Sequence, residues 1–309
     1  MSKDGGPTGV RLQKVLANAG LGSKRKLERR IEAGEVTVNG KVAKLGDRVT
    51  IEDRITLGNH PVDAWRLKEQ KHQVIIYNKP EGKLVTRDDP EGRPTVFMHL
   101  PKLKSGRWIS VGRLDIKASG LIIFTTDGDL ANQMTHSSHQ IEREYAVHVH
   151  GEVTDEMLQQ MTNGIELEDG MARFEDIVES RGEGTNRWYN VVTMEGRKRE
   201  VRRLFATVGI KIIRLNRVRY GPILLDGSLS IGRHRVLDEK ELHALLQTVN
   251  DKKWSKKEHP ECKREVRRQA THQASQVRRA FHGNYPADIN HKKDIYGCPP
   301  VFVQMYEGL

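Results

Sequence analysis

The stretch WISVGRLDIKASGLIIFTTDG, residues 108–128, carries the pattern on which the fold prediction rests. Two apolar runs, at 108–111 and 119–126, flank a polar loop, and apolar runs bounded by turn residues are typical of β-strands. The pattern therefore predicts two strands joined by a loop that holds one carboxylate, Asp115. By itself, Asp115 is better explained as a turn aspartate that caps residues 118–121.

The segments on either side of this stretch predict further strands and helices. Upstream, Val74–Tyr77 is strand-like and leads into a turn-forming loop at Asn78–Gly82. Downstream, a helix is expected to begin at Asp127. Residues 142–151 alternate like a half-buried strand, and residues 189–194 form another strand. The predicted fold class is α+β with a mainly antiparallel sheet.

The first 70 residues predict a small domain of their own. Apolar spacing predicts a helix over Arg11–Ala19, and Ser23 is expected to cap a second helix over Lys24–Ala33. Asn39-Gly40 lies between two short strands and favours a type I′ hairpin turn. Two helices and a hairpin in this order, over residues 10–70, resemble the S4 RNA-binding domain. We expect the exposed face of the second helix to contact phosphate through Lys24, Arg25, Lys26, Arg29 and Arg30.

The charge of the chain predicts a polyanionic partner. Its formal net charge is +11, with an isoelectric point near 9.6. Basic groups exceed acidic groups by five in residues 1–70 and by five in residues 251–309, but by only one in residues 71–250. The two ends therefore suit an anionic surface such as RNA. The alternative is that the excess charge only aids solubility.

Composition also narrows the cellular setting. Cys262 and Cys298 lie far apart without a C-x-x-C partner, so neither a disulfide framework nor a zinc site is predicted. A polar N-terminus and the lack of a long apolar window predict no membrane association and a cytoplasmic location. The charged, proline-interrupted residues 251–309 are expected to be an extension, partly disordered, with a candidate helix over 262–281.

Four motifs follow one another along the chain. They are Lys79-Pro80-Glu81-Gly82, Gly112-Arg113-Leu114-Asp115, Glu142-Arg143-Glu144-Tyr145 and Gly196-Arg197-Lys198-Arg199-Glu200-Val201-Arg202-Arg203. In order and spacing they are similar to the motifs of pseudouridine synthases of the small-subunit synthase A type. Asp89–Phe97 and Asn186–Val191 are most similar to members that act on large-subunit ribosomal RNA. The resemblance covers about residues 10 to 250 and implies a catalytic domain over residues 72–250.

The resemblance implies that the protein isomerises a uridine to pseudouridine. This reaction breaks a C–N glycosidic bond and rejoins the uracil through C5, without redox change or net hydrolysis, so no metal and no cofactor are expected. It requires a carboxylate as nucleophile or proton acceptor, a role assigned to Asp115. Tyr145 is expected to stack on the flipped uracil, with a buried core tyrosine as the alternative. The resemblance further implies that Arg202 pairs with Asp115 and that Arg113 fills the gap left by the flipped base.

Other basic residues are expected to contact the RNA. In the fourth motif they are Arg197, Lys198, Arg199 and Arg203, and the cluster extends through Lys211, Arg214, Arg217 and Arg219. Lys79 is expected to contact the RNA or to support the loop of Asp115.

The expected partner is large-subunit (23S) ribosomal RNA or its assembly intermediate, bound by a monomer. Two other functions stay open. One is a non-catalytic RNA-binding ribosome-assembly factor, against which the presence of Asp115, Tyr145 and Arg202 argues. The other is a hydrolytic glycosylase that uses Asp115 and releases free uracil, whose product differs in mass from that of an isomerase.

Overall fold

The computed structural model describes residues 9–67, 72–136, 139–183 and 186–251. Its strands are β1 (Val10–Arg11), β2 (Val36–Val38), β3 (Lys41–Val42), β4 (Arg48–Val49), β5 (Ile55–Leu57), β6 (His60–Pro61), β7 (Val74–Lys79), β8 (Ile109–Val111), β9 (Ser119–Thr125), β10 (Arg143–His150), β11 (Ile165–Leu167), β12 (Gly170–Ala172), β13 (Asp176–Glu183), β14 (Asn186–Thr193), β15 (Lys211–Tyr220), β16 (Ile223–Leu224) and β17 (His234–Val236). Its helices are α1 (Leu12–Asn18), α2 (Lys24–Glu32), α3 (Ala64–Leu67), α4 (Gly128–Thr135), α5 (Asp155–Asn163), α6 (Glu200–Thr207) and α7 (Glu239–Asp251), with a 3₁₀ turn at Val96–His99.

The N-terminal part has the predicted order of helices and hairpin. Ser23 caps α2 by accepting a hydrogen bond from the Lys26 N–H. Asn39 and Gly40 have φ angles of 52° and 80°, as a type I′ turn requires at both central positions, and this turn joins β2 to β3. A separate apolar cluster, which includes Leu16 and Leu27, fills the space between the helices and the small sheet. This part therefore has a core of its own.

A nine-stranded sheet forms the rest of the fold. Its main path runs β13-β14-β10-β15-β9-β7-β17, with β16 added to β15 and β8 added to β9. Neighbouring strands are antiparallel except β15 and β9, which are parallel. The prediction of an α+β fold with a mainly antiparallel sheet is confirmed. Among the described residues, no helix is long and apolar enough to cross a membrane.

The central strands are apolar throughout because both faces of the sheet are covered at this point. In β9, Ile122 and Phe124 join the apolar cluster that also contains Leu204 of α6. The alternate residues, including Ile123, join a second cluster with Leu130 of α4 and the apolar side of α7. A strand that is buried on both faces has apolar side chains on both, so its sequence is a continuous apolar run.

The predicted extension over 251–309 is described only at Asp251, the last residue of α7. Residues 252–309, with the candidate helix over 262–281, lie outside the described part of the chain. The limits of the small N-terminal domain at residue 70 and of the catalytic domain at residue 250 stay predictions.

The parallel pairing of β9 with β15 requires glycine at position 120. Gly120 has a φ of +98°, and a Cβ added there would lie 2.1 Å from Asn216 Oδ1 and 2.3 Å from the Arg217 carbonyl oxygen. These contacts are too short for any side chain, and one of them is to backbone. Gly120 therefore lets the chain pass from the Asp115 loop directly into close contact with β15.

We expect Gly120→Ala to lower the free energy of unfolding by roughly 2–5 kcal/mol, because the positive φ costs about 1–2 kcal/mol and overpacking costs about 1–3 kcal/mol. Gly209→Ala is the matched control, because Gly209 also has a positive φ, +78°, but faces open space. The control should lose only the first of these two contributions. Denaturant unfolding of both variants measures the difference, and equal losses would contradict the close packing at Gly120.

Candidate active site

A cavity of about 120 Å³ lies at the end of the sheet where the Asp115 loop meets the start of α6. Seven of the residues that the sequence singled out line it: Arg113, Asp115, Tyr145, Arg197, Arg199, Arg202 and Arg217. Its volume is well below the ~300–1,000 Å³ of a drug-sized cleft, so it offers room for one small planar group. The cavity therefore joins the carboxylate, the tyrosine and several cations in one place.

The backbone of the Asp115 loop is fixed by the buried ammonium of Lys79. This side chain has no exposed surface, and its Nζ donates to the carbonyl oxygens of Pro80, Asp115 and Ala118 at 3.0, 3.2 and 2.7 Å. Three N–H donors meet three acceptors, so every hydrogen of the ammonium is used. Lys79 therefore contacts the loop of Asp115, and its side chain has no exposed surface that could meet RNA.

Burial also changes the acidity of this group. Desolvation lowers the pKa of Lys79 from 10.5 to about 8, although the negative charges of Glu81 and Asp115 oppose the shift. At neutral pH most of the molecules still carry the ammonium with its three donors. The Asp115 loop is thus held by the Lys79 ammonium, a cation whose burial is energetically unfavourable.

Arg202 does not form the predicted salt bridge with Asp115. Its guanidinium donates to the Lys117 carbonyl oxygen at 2.8 Å and to the Ile212 carbonyl oxygen at 3.5 Å. Arg202 lies in the first turn of α6 and is half-buried, and its hydrogen-bond acceptors are backbone carbonyl oxygens. It therefore holds the backbone of the Asp115 loop, and the prediction of direct pairing is wrong.

Arg199 makes the salt bridge to Asp115 instead. Arg199 Nη1 lies 3.6 Å from Asp115 Oδ2, and the two side chains are 50% and 34% exposed. Arg199 adopts a left-handed conformation, with φ 52° and ψ 28°, at the position that caps α6. This conformation is uncommon for a residue with a side chain. It turns the chain so that Arg199, which the sequence assigned to phosphate, faces the cavity.

Arg197 and Arg203 are occupied by acceptors of the protein. Arg197 donates to the carbonyl oxygens of Asp169, Gly170 and Met171, and it forms an ion pair with Glu195. Arg203 makes a two-bond pair with the Asp169 carboxylate at 2.7 and 2.9 Å. These contacts join the start of α6 to the hairpin of β11 and β12. The prediction that both guanidinium groups face phosphate does not match this arrangement.

The predicted basic extension along β15 is also partly turned inward. Arg217 is 2% exposed and donates from Nε to the Leu121 carbonyl oxygen. Arg219 pairs with Glu142 and Glu144. Lys211 and Arg214 are exposed. Alternation along a strand explains the error, because a run of basic residues on a strand sends its members to opposite faces.

The remaining predicted residues differ in how accessible they are to a ligand. Arg113 and Lys198 are exposed, whereas Tyr145 is buried, belongs to the main apolar cluster and lines the cavity. In α2, Arg25, Lys26 and Arg29 are exposed, whereas Arg30 Nε is held by Glu35 Oε2 at 2.6 Å. Arg30 is therefore less available for phosphate than its neighbours.

Two residues of the site were quoted in motifs but given no role. The buried Glu200 accepts hydrogen bonds from the N–H groups of Gly196 and Arg197, and burial raises the pKa of its carboxyl. The buried Arg143 donates to the Ile141 and Met194 carbonyl oxygens and packs against Gly196, whose missing side chain leaves that space. Together they shape the turn that carries Arg199. The sequence signal for such a turn is a glycine followed four residues later by an acidic residue, here Gly196 and Glu200.

The electrostatics of the cavity favour an anionic ligand. Its walls include Arg113, Arg143, Arg199, Arg202 and Arg217, against the carboxyl groups of Asp115 and Glu200. Within the described ranges, no three His, Cys, Asp or Glu side chains are grouped closely enough to hold a metal ion. The arrangement can place one carboxylate against a substrate whose phosphates are bound by the surrounding cations.

Comparisons with known proteins agree with this geometry. Residues 73–207 match the family model described as RNA pseudouridylate synthase, and residues 10–55 match that of the S4 domain. The chain is 53% identical over 244 residues to ribosomal large subunit pseudouridine synthase B of Pseudomonas aeruginosa, across 79% of this chain and only 63% of that protein. The same-named protein of Escherichia coli is 53% identical over 241 residues, across 77% of this chain and 83% of the relative. A crystal structure of a pseudouridylate synthase matches with a TM-score of 0.54 and 27% identity, over 76% of this chain and 99% of that one.

The buried Lys79 makes stability depend on pH with a defined sign. Its pKa is about 8 in the folded chain and 10.5 as the ordinary value, so between these values the unfolded chain binds more protons. The contribution of Lys79 to the free energy of unfolding therefore rises with pH across this window. Relative to Lys79→Met, which lacks the titrating group, the wild type should gain up to roughly 3 kcal/mol between neutral pH and pH ~10.5. Urea unfolding of both proteins at several pH values measures the gain. A stability difference that does not change with pH would contradict the burial of a charged Lys79.

Proposed function

The chain belongs to the RNA pseudouridylate synthase family, and from this premise we propose that it isomerises a specific uridine of large-subunit ribosomal RNA to pseudouridine. Relatives from two bacteria are named for the large ribosomal subunit, which supports the choice of RNA. The observation that carries the proposed chemistry is the position of Asp115 beside Tyr145 in one arginine-lined cavity.

Asp115 is proposed to attack C1′ of the target uridine or to take a proton from C2′. Either role needs an ionised carboxylate held at a fixed position, since a small displacement of a reacting group is costly in rate. Lys79 and Arg202 support this role because they fix the backbone of Asp115 and of the residues that follow it, through the carbonyl oxygens of residues 115, 117 and 118. The carboxylate itself is one-third exposed, so a nucleotide can reach it.

The target base is proposed to leave the RNA stack and to enter the cavity. A base inside a folded RNA is covered by its neighbours, so chemistry at C1′ and C5 requires extrusion. The small volume of the cavity suits a single pyrimidine, and the ring of Tyr145 provides a surface on which the uracil can stack. Arg113, exposed at the rim two residues before Asp115, is proposed to occupy the gap in the RNA.

Arg199 is proposed to leave Asp115 when the RNA binds. Its distance of 3.6 Å is longer than the ~2.7–2.9 Å of a strong charge-assisted hydrogen bond, and half-exposed ion pairs contribute about 1 kcal/mol or less. A phosphate near the rim can therefore compete for the guanidinium. The carboxylate is then released to the substrate while Arg202 continues to hold the loop.

The S4 domain is proposed to dock the RNA rather than to take part in the chemistry. Arg25, Lys26 and Arg29 form an exposed basic surface on α2. Contacts of such side chains with phosphate add affinity that does not depend on sequence and that weakens with salt. Selection of the target uridine is thus assigned to the catalytic domain.

We expect Asp115→Asn to abolish isomerisation while leaving RNA affinity within about twofold, because the amide keeps the shape of the side chain but cannot act as nucleophile or base. The substrate is a transcript of a large-subunit rRNA segment, incubated at enzyme excess and then digested to nucleosides. Chromatography with mass spectrometry measures pseudouridine, and filter binding measures affinity. Residual activity above a few per cent of wild type would remove Asp115 from the mechanism.

The same assay separates the alternatives. An isomerase leaves the mass of the RNA unchanged, whereas a glycosylase releases uracil and leaves an abasic site. A non-catalytic assembly factor binds the RNA and changes no nucleoside. Either of the last two results for the wild-type protein would contradict the proposed function.

For the S4 domain, we expect replacement of Arg25, Lys26 and Arg29 by Gln to reduce the slope of log affinity against log salt by up to about 0.9 for each lost phosphate contact. A matched control replaces Lys41, Lys44 and Arg48, three exposed cations of the same domain, by Gln. Binding titrations from low to moderate salt should show a clearly smaller change for the control. Equal slopes in the two variants would show that α2 is not the docking surface.

A further inference from the structure

Two contacts join α1 of the S4 domain to the catalytic domain, and the first lies just beyond the end of this helix. Gly20, with a φ of +83°, meets Gly106, with a φ of +80°, in the segment that leads into β8. A Cβ added to Gly20 would lie 2.4 Å from the Gly106 carbonyl oxygen and 2.9 Å from its carbonyl carbon. These distances leave no room for a side chain. The two backbones are therefore in contact, and position 20 requires glycine.

The second contact is an ion pair near the start of α1. Lys14 Nζ lies 2.6 Å from Asp129 Oδ2 in α4, and the two side chains are 38% and 56% exposed. The hydrogen bond from Lys14 holds the pKa of Asp129 below its ordinary value, against the opposing effect of burial. An exposed ion pair adds little affinity on its own. Since it lies roughly two helical turns before Gly20, it restricts rotation about the glycine contact.

Both contacts are made with elements that border the Asp115 loop. Gly106 lies three residues before β8, and β8 ends directly before the motif that contains Asp115. The helix α4 packs against β8, since Leu130 and Val111 belong to the same apolar cluster. The position of α1 is therefore set relative to the strand that leads into the cavity.

The basic surface of α2 is held in place through α1. Leu16 of α1 and Leu27 of α2 are both fully buried in the core of the S4 domain, so the two helices form one unit. The exposed side chains of Arg25, Lys26 and Arg29 therefore have a defined position relative to the cavity. Their position would not be defined if a flexible tether alone connected the two domains.

A fixed arrangement of two binding surfaces restricts which RNA can engage both. Two surfaces on a flexible tether can bind phosphates and a uridine that lie at many separations, because the tether adapts to each of them. Two fixed surfaces engage together only an RNA that holds its phosphates and its target uridine at the matching separation. Such an RNA is bound without further loss of conformational freedom in the protein. An RNA too short to reach α2 gains nothing from the arrangement.

We propose that the contacts of α1 with Gly106 and Asp129 make the protein specific for folded RNA in which the phosphates bound by α2 and the target uridine are held at one fixed separation. This inference rests on the proposed function, because it concerns the RNA that is isomerised. The bases are still read at the cavity, and the docked S4 domain adds a condition of distance. Lys14, Gly20 and Asp129 are thus positioning residues that touch no reacting atom.

The experiment uses the full chain and two RNA substrates that contain the same target uridine. One is a folded large-subunit rRNA segment that the wild type converts, and the other is the shortest hairpin around the uridine that it still converts. Single-turnover rates at subsaturating protein give kcat/KM for each, with pseudouridine measured by chromatography and mass spectrometry. The readout is the ratio of the two values, the preference for the folded segment. A general loss of active protein lowers both values and leaves this ratio unchanged.

Gly20→Ala is compared with Gly34→Ala. Gly34 has the equivalent position after α2, with a φ of +74°, but a Cβ there would meet only Val42 Cγ1, at 3.8 Å. Both variants place a side chain at a positive φ, and only Gly20→Ala forces the two domains apart. We expect the preference to fall by about tenfold or more in Gly20→Ala, because the advantage of linked binding is lost, and to stay within about twofold of wild type in Gly34→Ala.

The ion pair is tested by exchange of its charges. Asp129→Lys places a second cation beside Lys14 and should lower the preference by about fivefold, because like charges placed together at an interface are unfavourable. If the added positive charge acted only on RNA, it would instead tighten the binding of both substrates. The double variant Lys14→Asp with Asp129→Lys restores an ion pair and has the net charge of wild type, so it should recover most of the lost preference. Both side chains are partly exposed, so these variants keep the test decisive if Gly20→Ala does not fold.

The inference is overturned if Gly20→Ala and Gly34→Ala change the preference equally, if Asp129→Lys causes no loss that the double variant recovers, or if the wild type shows no preference for the folded segment. Each of these results leaves the proposed function intact, because the wild type still forms pseudouridine. If the wild type converts no large-subunit rRNA segment that it binds, the proposed function fails and this inference fails with it.

Discussion

The ammonium of Lys79, buried without exposed surface beneath the Asp115 loop, is the constraint on which the site depends. It lies at the end of β7 and donates to the Pro80 carbonyl oxygen and to two carbonyl oxygens of the loop between β8 and β9, those of Asp115 and Ala118. The two apolar layers around the central strands exclude water from it. In that setting the carbonyl oxygens are the acceptors within reach, and their loss would leave an unpaired buried charge. The carboxylate position is therefore set by the core of the sheet, not by the flexibility of a surface loop.

The other cations around the cavity divide into those that hold the protein and those that are open to a ligand. Arg197 and Arg203 attach α6 to the β11–β12 hairpin, and Arg202 holds the Asp115 loop through Lys117. Arg199 and Arg113 are exposed at the rim. This division explains how so much positive charge can surround one small cavity. Backbone carbonyls accept hydrogen bonds from the inner cations and carboxylates balance the charge of some of them, and phosphates of the RNA can neutralise the outer ones.

Local sequence patterns were sufficient to predict the helices, strands and turns. They were not sufficient to predict which side chains contact each other at the site. Asn39-Gly40 specifies its turn through the φ angles it permits, and the apolar run after Ser119 can form only a strand in this context. By contrast, the stretch from Gly196 to Arg203 contains five basic residues, and spacing alone does not tell which of them reaches Asp115. That choice depends on the left-handed turn at Arg199 and on where α6 packs. The burial of Arg217 was likewise invisible, because it follows from the pairing of β15 with strands distant in sequence.

The proposed function is tested most directly by a map of pseudouridines in the large-subunit ribosomal RNA of cells with and without this gene. Carbodiimide treatment followed by reverse transcription marks each pseudouridine as a stop. We expect at least one stop in large-subunit RNA to disappear in the deletion strain and to return when the wild-type gene is restored, with no strand break or abasic site at that nucleotide. An identical set of stops in both strains would contradict the claim that this protein isomerises a uridine of that RNA.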